Sequence, residues 1–193
     1  MSVLIKNLKP IWEQFTLPFI NRLNKLQIHP NFISLLGIVL TFLAVPFLVK
    51  GNFLWGGVLV AAGGLCDALD GHLARYSGKV SPFGALLDST LDRLADFLPL
   101  FGLALYFSNS PFWLTVVLFN IAFWFLVSYV KARLEGLGVK EKIGGLFERT
   151  ERVATLVVFL ILNLPEVGLL ITLFGSLFTF LQRLYLGYKL LEK

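Results

Sequence analysis

Five aspartates stand out in the stretch LCDALDGHLARYSGKVSPFGALLDSTLDRLAD: Asp67, Asp70, Asp88, Asp92 and Asp96. Asp67 and Asp70 are three residues apart, and Asp88 and Asp92 are four apart. On a helix either spacing puts both carboxylates on one face. The connection GHLARYSGKVSPF is short enough to turn the chain back, so the two helices are expected to be neighbours with both pairs at one level. Four converging carboxylates repel one another unless cations lie among them. Hard oxygen ligands in that number point to Mg²⁺ or Mn²⁺. The competing reading is a set of solvated acids at helix ends. It fits poorly with acids that project at matched spacing from otherwise apolar helices. Gly71, directly after Asp70, allows close approach of a ligand to the backbone, and Arg75 can clamp a phosphate. Taken singly, these two would pass for a helix-ending glycine and a snorkelling arginine.

The elements that must position these acids are membrane helices. The chain has 193 residues, of which 56% are hydrophobic and 15% charged. Long uncharged runs place it among integral membrane proteins. Backbone groups in lipid must be paired internally, so the runs are read as helices. Six are distinguishable: 31–49, 51–66 running on into Asp67 and Asp70, 83–107, 112–130, a segment from about Val153 to before Pro165, and 167–181 extending to about Tyr188. The second and fifth are long enough to span only with their flanking turns. Small residues in GGVLVAAGG suit close helix packing, within the bundle or across a dimer.

Basic residues set the orientation. Lys6, Lys9, Arg22 and Lys25 precede the first span. Arg75 and Lys79 follow the second, six cations from Lys131 to Arg152 follow the fourth, and Arg183, Lys189 and Lys193 lie at the end. The opposite connections hold only Lys50. By the positive-inside rule both termini are cytoplasmic, and the aspartates lie at the cytoplasmic ends of the second and third spans. Ahead of the bundle, residues 8–26 repeat Leu8, Ile11, Trp12, Phe15, Phe19, Leu23 and Leu26 at intervals of three and four. They form an amphipathic helix expected to lie on the membrane surface, bent at Pro18; Glu13, Gln14 and Arg22 break the run too often for a signal peptide. One domain, 1–193, is expected, with the bundle over 31–188. The net charge of +5 is modest and does not point to nucleic acid. Cys66 reads as a packed hydrophobe, and no ligand role falls to His29 or His72.

The run Asp67-x-x-Asp70-Gly71-x-x-Ala74-Arg75, eight residues, Gly84-x-x-x-Asp88-x-x-x-Asp92 matches every position of the CDP-alcohol phosphotransferase signature. The chain therefore resembles that family over nearly its full length. The resemblance implies a homodimeric integral membrane enzyme with two divalent ions. Such an enzyme moves a phosphoryl-linked group from a CDP-alcohol to a second alcohol and releases CMP. It implies that Asp67, Asp70 and Asp88 are metal ligands and that Asp92 shares the second ion and acts as base for the acceptor hydroxyl. Gly71 and Arg75, together with Asp67 and Asp70, would cradle the cytidine diphosphate. Asn31 and Ser34 stand where many members have Pro-Asn-x-x-Thr, with Ser34 in place of threonine, which implies a nucleotide-side role; a helix cap at Asn31 is an equally good reading. Arg93 and Asp96 are read as supporting the site.

The segment from Ser128 to Arg152 bears on the acceptor. YVKAR, ERTER and QR are similar to the prokaryotic phosphatidylinositol phosphate synthases of this family. By that resemblance Lys131, Arg133, one or both of Arg149 and Arg152, and Arg183 hold the phosphate of inositol 1-phosphate, with CDP-diacylglycerol or CDP-archaeol as donor. The rival acceptor is glycerol 3-phosphate, which would make phosphatidylglycerophosphate. Another rival is CDP-inositol-dependent synthesis of an inositol phosphodiester. A divalent-cation transporter is the rival of a different class, disfavoured because the acids lie in one hairpin at the cytoplasmic side and no repeat is visible. The expected location is the plasma membrane, with the active site facing the cytoplasm.

Overall fold

The structure, a computed structural model, describes residues 3–141 and 143–192, with side chains from residue 11 onward. Lys142 and Lys193, and the side chains of Lys6, Leu8 and Lys9, lie outside the described residues. The described residues form seven helices and no strand: α1 (Val3–Lys25), α2 (Pro30–Val49), α3 (Phe53–Tyr76), α4 (Pro82–Tyr106), α5 (Pro111–Gly136), α6 (Arg149–Ile161) and α7 (Pro165–Leu191). α2, α4, α5 and α7 each open on a proline, whose missing N–H is no loss in a first turn. Ser81 caps α4 by accepting from the Gly84 N–H at 3.0 Å. His29, not Asn31, caps α2: its Nδ1 accepts from the Asn31 N–H at 3.3 Å. Gly51 and Gly78 turn the chain between α2, α3 and α4 at φ of 74° and 66°, a region that side chains with a Cβ seldom enter.

Four helices, α2, α3, α5 and α7, are long and apolar enough to cross a membrane. α4 has the length, with 25 residues, but carries Asp88, Asp92, Arg93 and Asp96. α6 has only 13 residues, about 20 Å at the helical rise, and begins at Arg149 rather than near Val153.

The core lies between α2, α3, α4, α5, α6 and α7, where Leu48, Leu100, Leu103, Trp124, Leu156, Leu160 and Leu169 are fully buried. Asn120 ties α5 to α7. It donates to the Leu169 carbonyl at 3.0 Å and accepts from the Thr172 hydroxyl at 2.9 Å, so both ends of its amide are paired in an apolar setting.

The expected hairpin of adjacent α3 and α4 is corrected. α2 packs extensively against both, and the two touch each other only sparsely. The reason is the glycine-rich face of α3. A Cβ on Gly63 would meet the Thr41 hydroxyl of α2 and come within 2.8 Å of the Gly37 carbonyl, so α2 approaches this face at backbone contact. Thr41 is itself held there, donating to Gly37 O at 2.9 Å. Gly63→Ala is expected to lower stability by about 1–3 kcal/mol. Gly64→Ala, where a Cβ meets nothing within 4 Å, should be neutral. Thermal unfolding of the two variants in the same detergent makes the comparison.

α1 runs as one helix through Pro18 and docks on the end of α3. Thr16 hydrogen-bonds His72 at 2.9 Å, Tyr76 hydrogen-bonds Asn21, and Ile20 packs with Leu73 and Ile33. The single apolar stripe read from the sequence is divided: Leu23 turns toward α3, whereas Ile11, Phe15, Phe19 and Leu26 are exposed.

Candidate active site

The aspartates converge although their helices barely touch. Asp67, Asp70 and Asp88 each offer an oxygen within 4.8 Å of the others. They line a cleft of about 20 Å³ together with Ser34, Gly37, Gly63 and Arg149. That volume admits an occupant the size of a water molecule or a small ion. Asp70 is 4% exposed, and its Oδ2 is buried with no hydrogen-bond donor among the described residues. A buried carboxylate oxygen left without a donor is costly unless it meets a cation. The donor set, all hard oxygen, fits Mg²⁺ or Mn²⁺ better than a softer metal.

Asp92 does not join this trio. It lies one turn beyond Asp88 and is held by Arg149 at 2.8 Å and Arg93 at 3.3 Å. Arg149 is the hub. Its Nη1 is 2.8 Å from Asp67 Oδ2 and from Asp92 Oδ1, and its Nε donates to Asp96 Oδ1 at 3.0 Å. Asp96 is buried and also faces Arg152 Nη2 at 3.6 Å. Arg152 in turn stands over the Trp124 ring, 5.1 Å from its centroid. The partly exposed Arg149, the buried Arg152 and the buried Asp96 thus compensate one another, an arrangement costly to break by removing a single partner.

On the other side of Arg149 opens a larger cavity, about 270 Å³, lined by Asp92, Lys131, Glu148, Arg152 and Arg183 among others. Arg183 donates to the Val127 carbonyl at 2.6 Å and faces Glu148 at 3.6 Å. Its Nε, and the Nε and Nη1 of Arg152, are buried without acceptors among the described residues. Guanidinium groups lining a cavity are suited to an anion. The loop that brings Glu148 to the cavity is pinned to α7 by Phe147 N–H donating to Thr179 at 3.0 Å and Leu146 N–H to Gln182 at 3.1 Å.

The acceptor cations of the sequence reading thus divide. Lys131, Arg149, Arg152 and Arg183 line the cavity, whereas Arg133 does not. Two positions past Lys131 on a helix, it projects to a different side and is exposed. On the donor side, Ser34 lines the cleft but Asn31, Gly71 and Arg75 do not. Arg75 folds back toward Gly71 and pairs with Glu13 of α1 at 3.2 Å. Glu148 was missed altogether; it immediately precedes Arg149 in the ERTER run, which was the available signal.

Residues 27–181 match the family model described as CDP-alcohol phosphatidyltransferase. The chain belongs to the CDP-alcohol phosphatidyltransferase family. It is therefore a transferase. It is 38% identical over 170 residues, 88% of this chain and 89% of the relative, to the archaetidylinositol phosphate synthase of Pyrococcus horikoshii. It is 33% identical to the phosphatidylinositol phosphate synthase of Streptomyces avermitilis, over 94% of this chain and 81% of that one. Among solved structures it is similar to the phosphatidylinositol phosphate synthase of Mycobacterium tuberculosis. The form in complex with manganese and citrate aligns with TM-score 0.80 and 27% identity, covering 89% of this chain and 88% of that one. The form with CDP-DAG bound aligns with TM-score 0.79 and 26% identity, covering 91% and 94%.

Proposed function

We propose that this transferase moves a phosphatidyl-type group from a CDP-linked lipid to inositol 1-phosphate, giving a phosphatidylinositol phosphate and CMP. The observation that carries the reading is the junction at Arg149 and Asp92, where an aspartate cleft suited to a metal-bound diphosphate meets a cationic cavity suited to a phosphorylated alcohol. The names of the relatives, and the CDP-DAG of the mycobacterial structure, support the same assignment.

Asp67, Asp70 and Asp88 hold the divalent metal, Mg²⁺ or Mn²⁺, with Asp92 within reach of a second ion. The bound metal supplies charge neutralisation at the diphosphate and at the departing CMP. Gly71, Arg75, Asn31 and Ser34 form the nucleotide side; Arg75 reaches the diphosphate by exchanging Glu13 for it. Lys131, Arg152 and Arg183 fix the acceptor phosphate, and Arg149 serves both sides. Asp92 takes the proton from the acceptor hydroxyl. The hydroxyl oxygen bonds to the β-phosphorus, and the bond from that phosphorus to the bridging oxygen breaks, so that oxygen leaves with CMP. The place of Asp92 on the lining of the acceptor cavity sets its contribution.

In this reading 1–193 is one domain. Six helices over 31–188 span the plasma membrane of a homodimer, and α1 lies on the cytoplasmic surface with both termini and the active site on that side. The exposed Ile11, Phe15, Phe19 and Leu26 support a lipid-facing α1.

The test is CMP release by purified protein with Mg²⁺ or Mn²⁺, each of CDP-diacylglycerol and CDP-archaeol, and a panel of acceptors. Inositol 1-phosphate should be used, and unphosphorylated inositol should not. Turnover with glycerol 3-phosphate alone would reject the acceptor, and no CMP with any acceptor would reject the reading.

A further inference from the structure

The acceptor cavity contains a group that works against phosphate binding. Glu148, with a side chain 14% exposed, lines the same wall as Arg152 and Arg183. A carboxylate beside a phosphate dianion is repulsive, more so where water is scarce. A cavity built for phosphate alone would not hold it.

We infer that Glu148 is a specificity-determining residue, accepting hydrogen bonds from the hydroxyls of a polyhydroxylated acceptor whose phosphate rests on the neighbouring cations. The inference builds on the proposed acceptor class. The other oxygen-bearing side chains of the cavity differ from Glu148 in role, exposure or charge. Asp92 is assigned to the reacting hydroxyl. Glu135 is largely exposed and lies 3.9 Å from Lys131. Ser89 and Ser128 donate to carbonyls of their own helices, at 2.9 Å to Ala85 and 3.2 Å to Trp124. Glu148 is both sheltered and fixed. Its Oε1 accepts from the Gly145 N–H at 3.0 Å and faces Arg183 Nη2 at 3.6 Å. A carboxylate accepts up to about four hydrogen bonds and can hold Arg183 and a hydroxyl together. The second, independent indication of a ligand here is Arg152, 1% exposed, with Nε and Nη1 buried and without acceptors among the described residues. Cations for the phosphate and a carboxylate for the hydroxyls are what an acceptor such as inositol 1-phosphate requires. An acceptor with few hydroxyls gains little from Glu148 and meets its repulsion in full.

Glu148→Gln tests this, because the amide oxygen can keep the Gly145 bond while the charge is lost. The KM for inositol 1-phosphate should rise about 10-fold or more, the loss expected for a charge-assisted hydrogen bond. The inhibition constant of glycerol 3-phosphate against the same reaction should stay level or fall. If both constants rise together, Glu148 only holds Arg183 and the inference is overturned; it is overturned equally if neither changes. Wild-type protein provides an arm that does not depend on the variant's folding: inositol 1-phosphate should bind about 10-fold or more tightly than glycerol 3-phosphate, and equal affinity would overturn hydroxyl recognition. A wild type that releases no CMP with inositol 1-phosphate would instead overturn the acceptor assignment itself, and with it this inference.

Discussion

Replacing Asp92 by Asn is expected to lower CMP release by about 100- to 10,000-fold, the range for loss of a positioned general base. CDP-lipid binding should survive. The side chain keeps its shape and can still accept from Arg93 at 3.3 Å, with Arg149 2.8 Å away. What disappears is the group proposed to take the hydroxyl proton. Arg149 stays anchored by Asp67 at 2.8 Å and Asp96 at 3.0 Å, so collapse of the hub is not the expected cause of the defect. Equilibrium binding of a CDP-lipid, measured beside turnover, separates the two possibilities. Activity within 10-fold of wild type would remove Asp92 from the role of base.

Asp70→Asn should be nearly as damaging, for a different reason. Asp70 is the most buried of the three clustered acids, and its Oδ2 meets no donor among the described residues. An amide there removes a negative charge and offers N–H groups where a cation needs oxygen. Metal ions acting on phosphoryl oxygens are worth several kcal/mol of transition-state stabilisation, so turnover at limiting metal should fall by about 1,000-fold. Unlike Asp92→Asn, the loss should extend to CDP-lipid binding and be partly recovered by raising the Mn²⁺ concentration. A defect in turnover with unchanged metal dependence would assign Asp70 to another task.

Local chemistry made much of this architecture legible in the residues. The apolar runs, the prolines opening α2, α4, α5 and α7 and the turn glycines mark helix positions closely, because each acts through its own backbone. Helical spacing and a short connection predict a group of four acids; Asp67, Asp70 and Asp88 form it without Asp92, and α2 packs against both α3 and α4, which touch each other only sparsely. Spacing could not disclose which distant side chain fills a gap. Arg149 was read as a phosphate ligand, yet it also reaches back across the bundle to Asp67, Asp92 and Asp96. Arg133 looked equivalent to Lys131 in YVKAR, but a helix turns the two to different sides. The apolar stripe of α1 divides in the structure because amphipathicity records only which residues are apolar. It does not say whether lipid or protein covers them, and here Leu23 meets α3 while Phe15 does not.

The central claim is that acids from two separate helices hold one divalent centre. Mn²⁺ titration followed by electron paramagnetic resonance, on wild type and on Asp70→Asn, tests it most directly. Saturable Mn²⁺ binding by the wild type, weakened about 10-fold or more in the variant, is the predicted result. Identical titrations for the two proteins, or no saturable binding by the wild type in the presence of a CDP-lipid, would contradict it.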